Sequence, residues 1–123
     1  MSSFSVALRP HPEAGAAVLE LTGELDAHTA PEFEAALERA LADGHTRVVI
    51  NGSALQYVSS AGLGVFMAFV EPMRERGGDL KVAALQPRVF EVFDLLGFPL
   101  IFDMQDTEEA ALAAFARPAG DVA

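Results

Sequence analysis

The sequence predicts an α/β fold: a single domain with one mixed sheet flanked by about four helices, in the order β-β-α-β-α-β-α-β-α. Three observations carry this. Short alternating or β-branched apolar runs recur at residues 5–9, 17–22, 46–50 and 80–83. After an opening pair of such runs, segments with apolar residues at helical spacing lie between them. The chain has 123 residues, 51% of them hydrophobic and 21% charged, which supports one packed core and leaves no room for a second domain.

The elements follow in order. Residues 5–9 alternate apolar and polar, as a half-buried strand does. Pro10, Pro12 and Gly15 supply turn chemistry, and residues 17–22 form the second arm of a hairpin. Gly23-Glu24-Leu25-Asp26 ends that strand. Thr29 and Glu32 have the T-x-x-E spacing of a capping box, Phe33, Leu37, Ala40 and Leu41 continue at helical spacing, and Gly44 stops the helix. The β-branched run at 46–50 reads as a buried strand, followed by a loop over residues 51–58.

A second helix starts at about Ser60. Leu63, Phe66, Met67, Val70 and Met73 form its apolar stripe, which Val65 and Phe69 widen. A helix apolar on most sides is heavily buried or meets a partner. Pro72 predicts a kink or an ending nearby, and Gly77-Gly78 a stop. Residues 80–83 form the fourth strand. Pro87 opens a third helix with Val89, Phe90, Phe93 and Leu96 on its inner face and Gly97 beyond its end. Residues 100–102 read as a short last strand. Asp106 and Glu109 give a second capping-box spacing, and Leu112 and Phe115 anchor a final helix. The single domain covers residues 1–123, with its core over about 4–116 and a frayed tail at 117–123.

Composition excludes several classes of function. There is no cysteine, hence no disulfide and no thiolate metal site. The net charge is −10, from 18 acidic against 8 basic residues, so the basic footprint of a nucleic-acid or anionic-membrane binder is missing. Met1-Ser2-Ser3-Phe4-Ser5 lacks the basic start and apolar run of a signal peptide. The longest apolar stretch, residues 61–70, is far short of the about 20 residues a membrane span needs. A cytoplasmic monomer is the expectation.

Catalytic and cofactor signals are equally sparse. His11, His28 and His45 lie in or beside turns without ligand spacing, so no metal site is expected. Gly62-Leu63-Gly64 does not complete a dinucleotide fingerprint, because position 67 is Met, and no G-x-x-x-x-G-K occurs; no cofactor is expected. Ser59 and Ser60 lack both a nucleophile-elbow context and a base, so no catalytic residue is assigned and the chain is read as a non-enzyme.

What remains is Tyr57-Val58-Ser59-Ser60-Ala61-Gly62-Leu63-Gly64, with two serines where a loop gives way to a helix. One reading is structural: serine is a favoured N-cap, and glycine at a helix start allows close packing. The other is a phosphorylation switch. Free amides and the helix dipole tolerate a phosphate at a helix N-terminus. Its charge of about −1.5 to −2 then acts on whatever docks there.

From about Phe4 to Phe115 the chain resembles the STAS family, the sulphate-transporter and anti-sigma-factor-antagonist domains. Gly23-Glu24-Leu25-Asp26-Ala27-His28-Thr29-Ala30 is similar to the family's G-E-L-D segment. Val58-Ser59-Ser60-Ala61-Gly62-Leu63-Gly64 resembles its D-S-S-G-L-G phosphorylation loop. Residues 89–98 resemble its late amphipathic helix and glycine end. The resemblance implies an anti-sigma factor antagonist that binds an anti-sigma factor serine kinase when unmodified. Phosphorylation would release it and a PP2C-like phosphatase would reset it. Aligning Gly62 with the motif glycine places Ser60 on the phosphoacceptor, and the implied partner surface includes Asp26, Ser59, Ser60, Gly62 and Leu63. Ser59 stands where the motif has aspartate, Ala61 on its second serine, and Asn51 where relatives often carry aspartate, so fewer carboxylates flank Ser60. The family also contains constitutive scaffolds and small-ligand modules, which is the alternative reading.

Overall fold

The computed structural model describes residues 3–116. Five strands form one sheet in the order β1-β2-β3-β4-β5. The chain runs β1 (Phe4–His11), β2 (Ala16–Leu25), α1 (Ala30–Ala42), β3 (Arg47–Val58), α2 (Ser60–Glu75), β4 (Asp79–Ala83), α3 (Pro87–Leu95), β5 (Met104–Gln105) and α4 (Glu108–Ala116). β1 and β2 form an antiparallel hairpin, joined by a short 3-10 turn over Pro12–Ala14, and all other pairs are parallel. The mixed sheet and the element order are those the sequence predicts.

Alternation along the strands sends side chains to two cores. Leu19, Leu21, Val48, Ile50, Leu80 and Val82 face α1, α2 and α3. Val18, Val49 and Ala83 face α4. A sheet covered on both faces reads as continuous apolar runs rather than as clean alternation, which explains the sequence at 16–19 and 48–50. Phe66 centres the larger core, with its ring 5.0 Å from Phe33 and 5.3 Å from Phe93.

Several expectations are corrected. Residues 51–58 are not a loop: β3 continues to Val58, paired with β2 through register shifts that accommodate Gly52 and Ser53. Helix α2, by contrast, ends at Glu75, close to Pro72 as expected, and buried Met73 holds its last turn. The last strand is Met104–Gln105, not residues 100–102. Phe98–Leu100 forms a 3-10 turn instead, which lets Phe98 and Phe102 stack at 5.2 Å inside the core and leaves Leu100 outside. On α3 only Val89 and Phe93 are buried; Phe90 and Leu96 face outward. For α4, the Thr107 Oγ1 accepts the Ala110 N–H at 3.1 Å, so Thr107 begins the helix in place of Asp106. The expected tail, residues 117–123, lies outside the described residues.

Candidate functional site

The carboxyl ends of the parallel strands gather at one end of the sheet, where sites in such folds form. Two loops meet there. Leu25 and Val58, the last residues of β2 and β3, are paired, and the Ser59 N–H donates to the Leu25 carbonyl at 2.8 Å. The turn that starts at Asp26 therefore lies beside the start of α2.

That turn is closed by side chains. Asp26 Oδ1 accepts the N–H of His28 at 2.9 Å and of Thr29 at 3.0 Å. Thr29 Oγ1 accepts the Asp26 N–H at 2.9 Å and donates to the Glu24 carbonyl at 2.8 Å. The expected capping box does not form, because the buried Thr29 hydroxyl is engaged with the turn behind it and does not cap α1. Asp26 thus fixes the geometry of its own loop, as short carboxylates do in turns.

Ser59 occupies the N-cap of α2 in extended backbone, yet its hydroxyl does not cap the helix. Its Oγ is buried without a hydrogen-bond partner among the described residues. Ser60 opens the helix and is exposed. Gly62 seats the first turn: a Cβ there would stand 2.6 Å from Leu25 Cγ and 3.2 Å from Val58 Cγ2. Leu63 is buried in the larger core. Of the five residues expected to meet a partner, Asp26, Ser59 and Ser60 come together at this end. Gly62 and Leu63 sit beneath them and set the position of the helix.

The exposed side of α2 carries Ser60, Ala61, Gly64, Met67 and Ala68, a small-residue face free of charge until Glu71. Met67, expected in the apolar stripe, is 41% exposed and belongs to this face. Two further residues border the site that the sequence reading did not single out. Tyr57, two residues before Ser59, is 51% exposed, and Arg88 stands nearby on the first turn of α3. An aromatic beside the paired serines is a legible signal; the approach of Arg88 depends on the packing of α3 and is not.

The strongest electrostatics lie elsewhere, under α4. A hydrogen bond from Arg9 at 2.8 Å, helped by Asn51 at 2.9 Å, holds the Glu108 carboxyl below the usual carboxylate range against the opposing effect of burial. Burial raises Asp103, but hydrogen bonds from Lys81 and Gln105 outweigh it and leave that carboxyl lowered. Among the described residues no group of three His, Asp or Glu side chains is placed to hold a metal. No helix among them is long and apolar enough to cross a membrane.

Comparison with known proteins agrees with this architecture. BtrV of Bordetella bronchiseptica, named as a candidate anti-sigma factor antagonist, is 39% identical over 95 residues, 77% of this chain and 82% of that one. The anti-sigma-B factor antagonist of Listeria monocytogenes is 32% identical over 72% of this chain and 77% of its own length. The crystal structure of an anti-sigma factor antagonist from Mycobacterium paratuberculosis superposes with a TM-score of 0.85 at 30% identity, covering 94% of this chain and 96% of that chain. These relatives are named as antagonists, which are regulatory binding proteins and not enzymes. Residues 7–111 match the STAS domain, and the chain belongs to that family.

Proposed function

We propose that the chain is an anti-sigma factor antagonist whose binding is switched at Ser60. Unmodified, it binds, as a monomer, an anti-sigma factor that is also a serine kinase. The kinase transfers the γ-phosphoryl group of ATP to the Ser60 oxygen, giving ADP and a phosphoester and releasing the hydroxyl proton. A PP2C-like phosphatase hydrolyses the ester to serine and inorganic phosphate. The observation that carries this reading is the placement of Ser60: an exposed hydroxyl at the head of an uncharged, small-residue helix face, beside the closed Asp26 turn. Small residues let a partner's backbone approach closely.

The chemistry of the switch is local. Because Ser59 does not cap α2, the amides of its first turn are open to a phosphate on Ser60, so modification leaves the fold intact. The partner, however, meets a new charge of about −1.5 to −2 in a surface it had desolvated. A penalty of about 3 kcal/mol weakens binding more than a hundredfold. The absence of the motif aspartate, replaced by Ser59, leaves this acceptor with one carboxylate fewer beside it.

The test is calorimetric titration of the purified anti-sigma serine kinase from the same genome, first with ADP and then with ATP. The wild-type chain is expected to bind with ADP, to gain one phosphate on Ser60 with ATP, and then to dissociate. Ser60→Ala is expected to bind under both conditions and Ser60→Asp to bind poorly. Equal binding of wild type and Ser60→Ala with and without ATP turnover would replace the switch with a constitutive scaffold or small-ligand module.

A further inference from the structure

β3 outruns its neighbour. β4 pairs with β3 only over Arg47–Asn51, whereas β2 follows it to Val58. Among the described residues, no strand therefore pairs with the second edge of residues 52–58. α3 stands beside that edge and leaves a groove of about 310 Å³, lined by Gln56, Tyr57 and Val58 of β3, by Arg88 and Val92 of α3, and by Glu24 of β2. The Gln86 Nε2 donates to the Ser53 carbonyl at 3.0 Å, so backbone on this edge takes hydrogen bonds from outside the sheet.

We propose that this groove is a second half of the docking surface. It receives an extended segment of the anti-sigma factor, laid along the free edge of β3 with an acidic side chain against Arg88. The inference rests on the reading that the Ser60 end binds such a factor. Five features point to this occupant. An unpaired strand edge is a template for another chain's backbone. Arg88, like Arg39, Arg47 and Arg76, forms no ion pair among the described residues, and of these four it is the one that lines this groove. In a chain of net charge −10, an unpaired guanidinium on a groove wall fits a partner's carboxylate. The groove also continues directly into the site: Val58 lines it and precedes Ser59, and Glu24 lies two residues before Asp26. Tyr57, at the border of the two, is of the residue type that anchors interfaces. The groove's volume is at the small end for ligand pockets, which suits a short segment.

Hydrogen exchange and titration with the purified, ADP-loaded kinase test this together. Binding is expected to slow exchange of the amides of residues 52–58. Arg88→Glu is expected to weaken binding at least about tenfold, Arg88→Lys by less than about threefold, and Tyr57→Ala to weaken it in between. Arg88 and Tyr57 are exposed, so their variants keep the wild-type thermal melt, which is the fold control. If wild type binds and Ser60→Asp does not, yet Arg88→Glu binds as wild type and residues 52–58 exchange unchanged, the groove proposal falls and the Ser60 reading stands. Weakened binding by Arg88→Glu without protection of 52–58 overturns the added strand. A kinase that fails to bind the wild-type chain overturns both.

Discussion

The α4 face and the Ser60 end of the molecule are held together by different forces. Helix α4 has nine residues and buries only Ala111, Leu112 and Phe115. Charge makes up the difference. Arg9 and Asn51 both reach Glu108, Lys81 bridges Asp79 and Asp103, and its Nζ lies 4.6 Å from the Phe115 ring centroid. The Arg47 Nη1 donates to the Phe115 carbonyl at 3.0 Å. At the Ser60 end the holding is done by strand-to-strand backbone bonds, by the Asp26 turn and by the close seat of Gly62. The comparison carries a functional lesson. On the reading proposed above, a helix start fixed by backbone and packing accommodates the charge of a phosphate, about −1.5 to −2, whereas the same charge under α4 would oppose the pairs that hold it.

The largest effects test the packing side of this contrast. Phe66→Ala empties the centre of an aromatic cluster that includes Phe33, Phe93 and Phe102, and is expected to cost about 3–5 kcal/mol. Gly62→Val drives a branched side chain into Leu25 and Val58 and is expected to cost about 2–3 kcal/mol. Urea unfolding midpoints measure both. A Gly62→Val chain with a wild-type midpoint would mean that α2 is not seated on the strand ends, and the comparison would lose its packed half.

The charged side is tested by pH. The folded-state pKa of Glu108 lies below its ordinary value of 4.5, chiefly through the Arg9 hydrogen bond. The native carboxyl therefore binds fewer protons than the unfolded one in acid. Its contribution is fully present above that ordinary value and disappears as pH falls through the lowered folded value. Asp103 has the same sign. Lowering the pH below 4.5 is expected to loosen α4 before α2, read as faster amide exchange at 108–116 than at 60–75. Glu108→Gln is expected to cost about 1 kcal/mol at neutral pH, discounted because Arg9 is half exposed, and progressively less at a pH below 4.5, as the carboxyl protonates. An unchanged cost in acid would point to shape rather than charge as the clamp.

How much of this was legible follows the same division. The element order was readable because strand and helix periods alternate cleanly, and Gly44, Gly77 and Gly97 punctuate them. The upper half of β3 was not: Asn51-Gly52-Ser53 has turn chemistry, and only pairing with β2 through irregular register keeps the strand extended. The last strand was misplaced because the apolar residues at 100–102 outweigh Met104 and Gln105 in any local reading, yet Phe102 is taken by stacking on Phe98. The segment around Ser59 and Ser60 stood out through its resemblance to a family motif, and its glycine, Gly62, does sit where a Cβ would meet Leu25 and Val58. Its neighbours Arg88 and Met67 depend on which way α3 and α2 turn their faces, which periodicity alone leaves open on a helix apolar almost all round.

The smallest expected effect separates stability from recognition at a single position. Gly64 lies inside α2 on its exposed face, and among the described residues nothing outside the helix's own backbone stands within 4 Å of a Cβ built there. Gly64→Ala therefore removes the entropic penalty of a helical glycine without a clash. The expected gain is about 0.5–1 kcal/mol of stability, visible as a higher melting temperature. The added methyl nevertheless lies one turn from Ser60, on the surface proposed to meet the anti-sigma factor. Affinity for the kinase is expected to fall while stability rises. Opposite signs in the two measurements would mark this glycine as kept for contact rather than for folding. A variant that is more stable and binds as tightly as wild type would move the docking surface off the exposed face of α2.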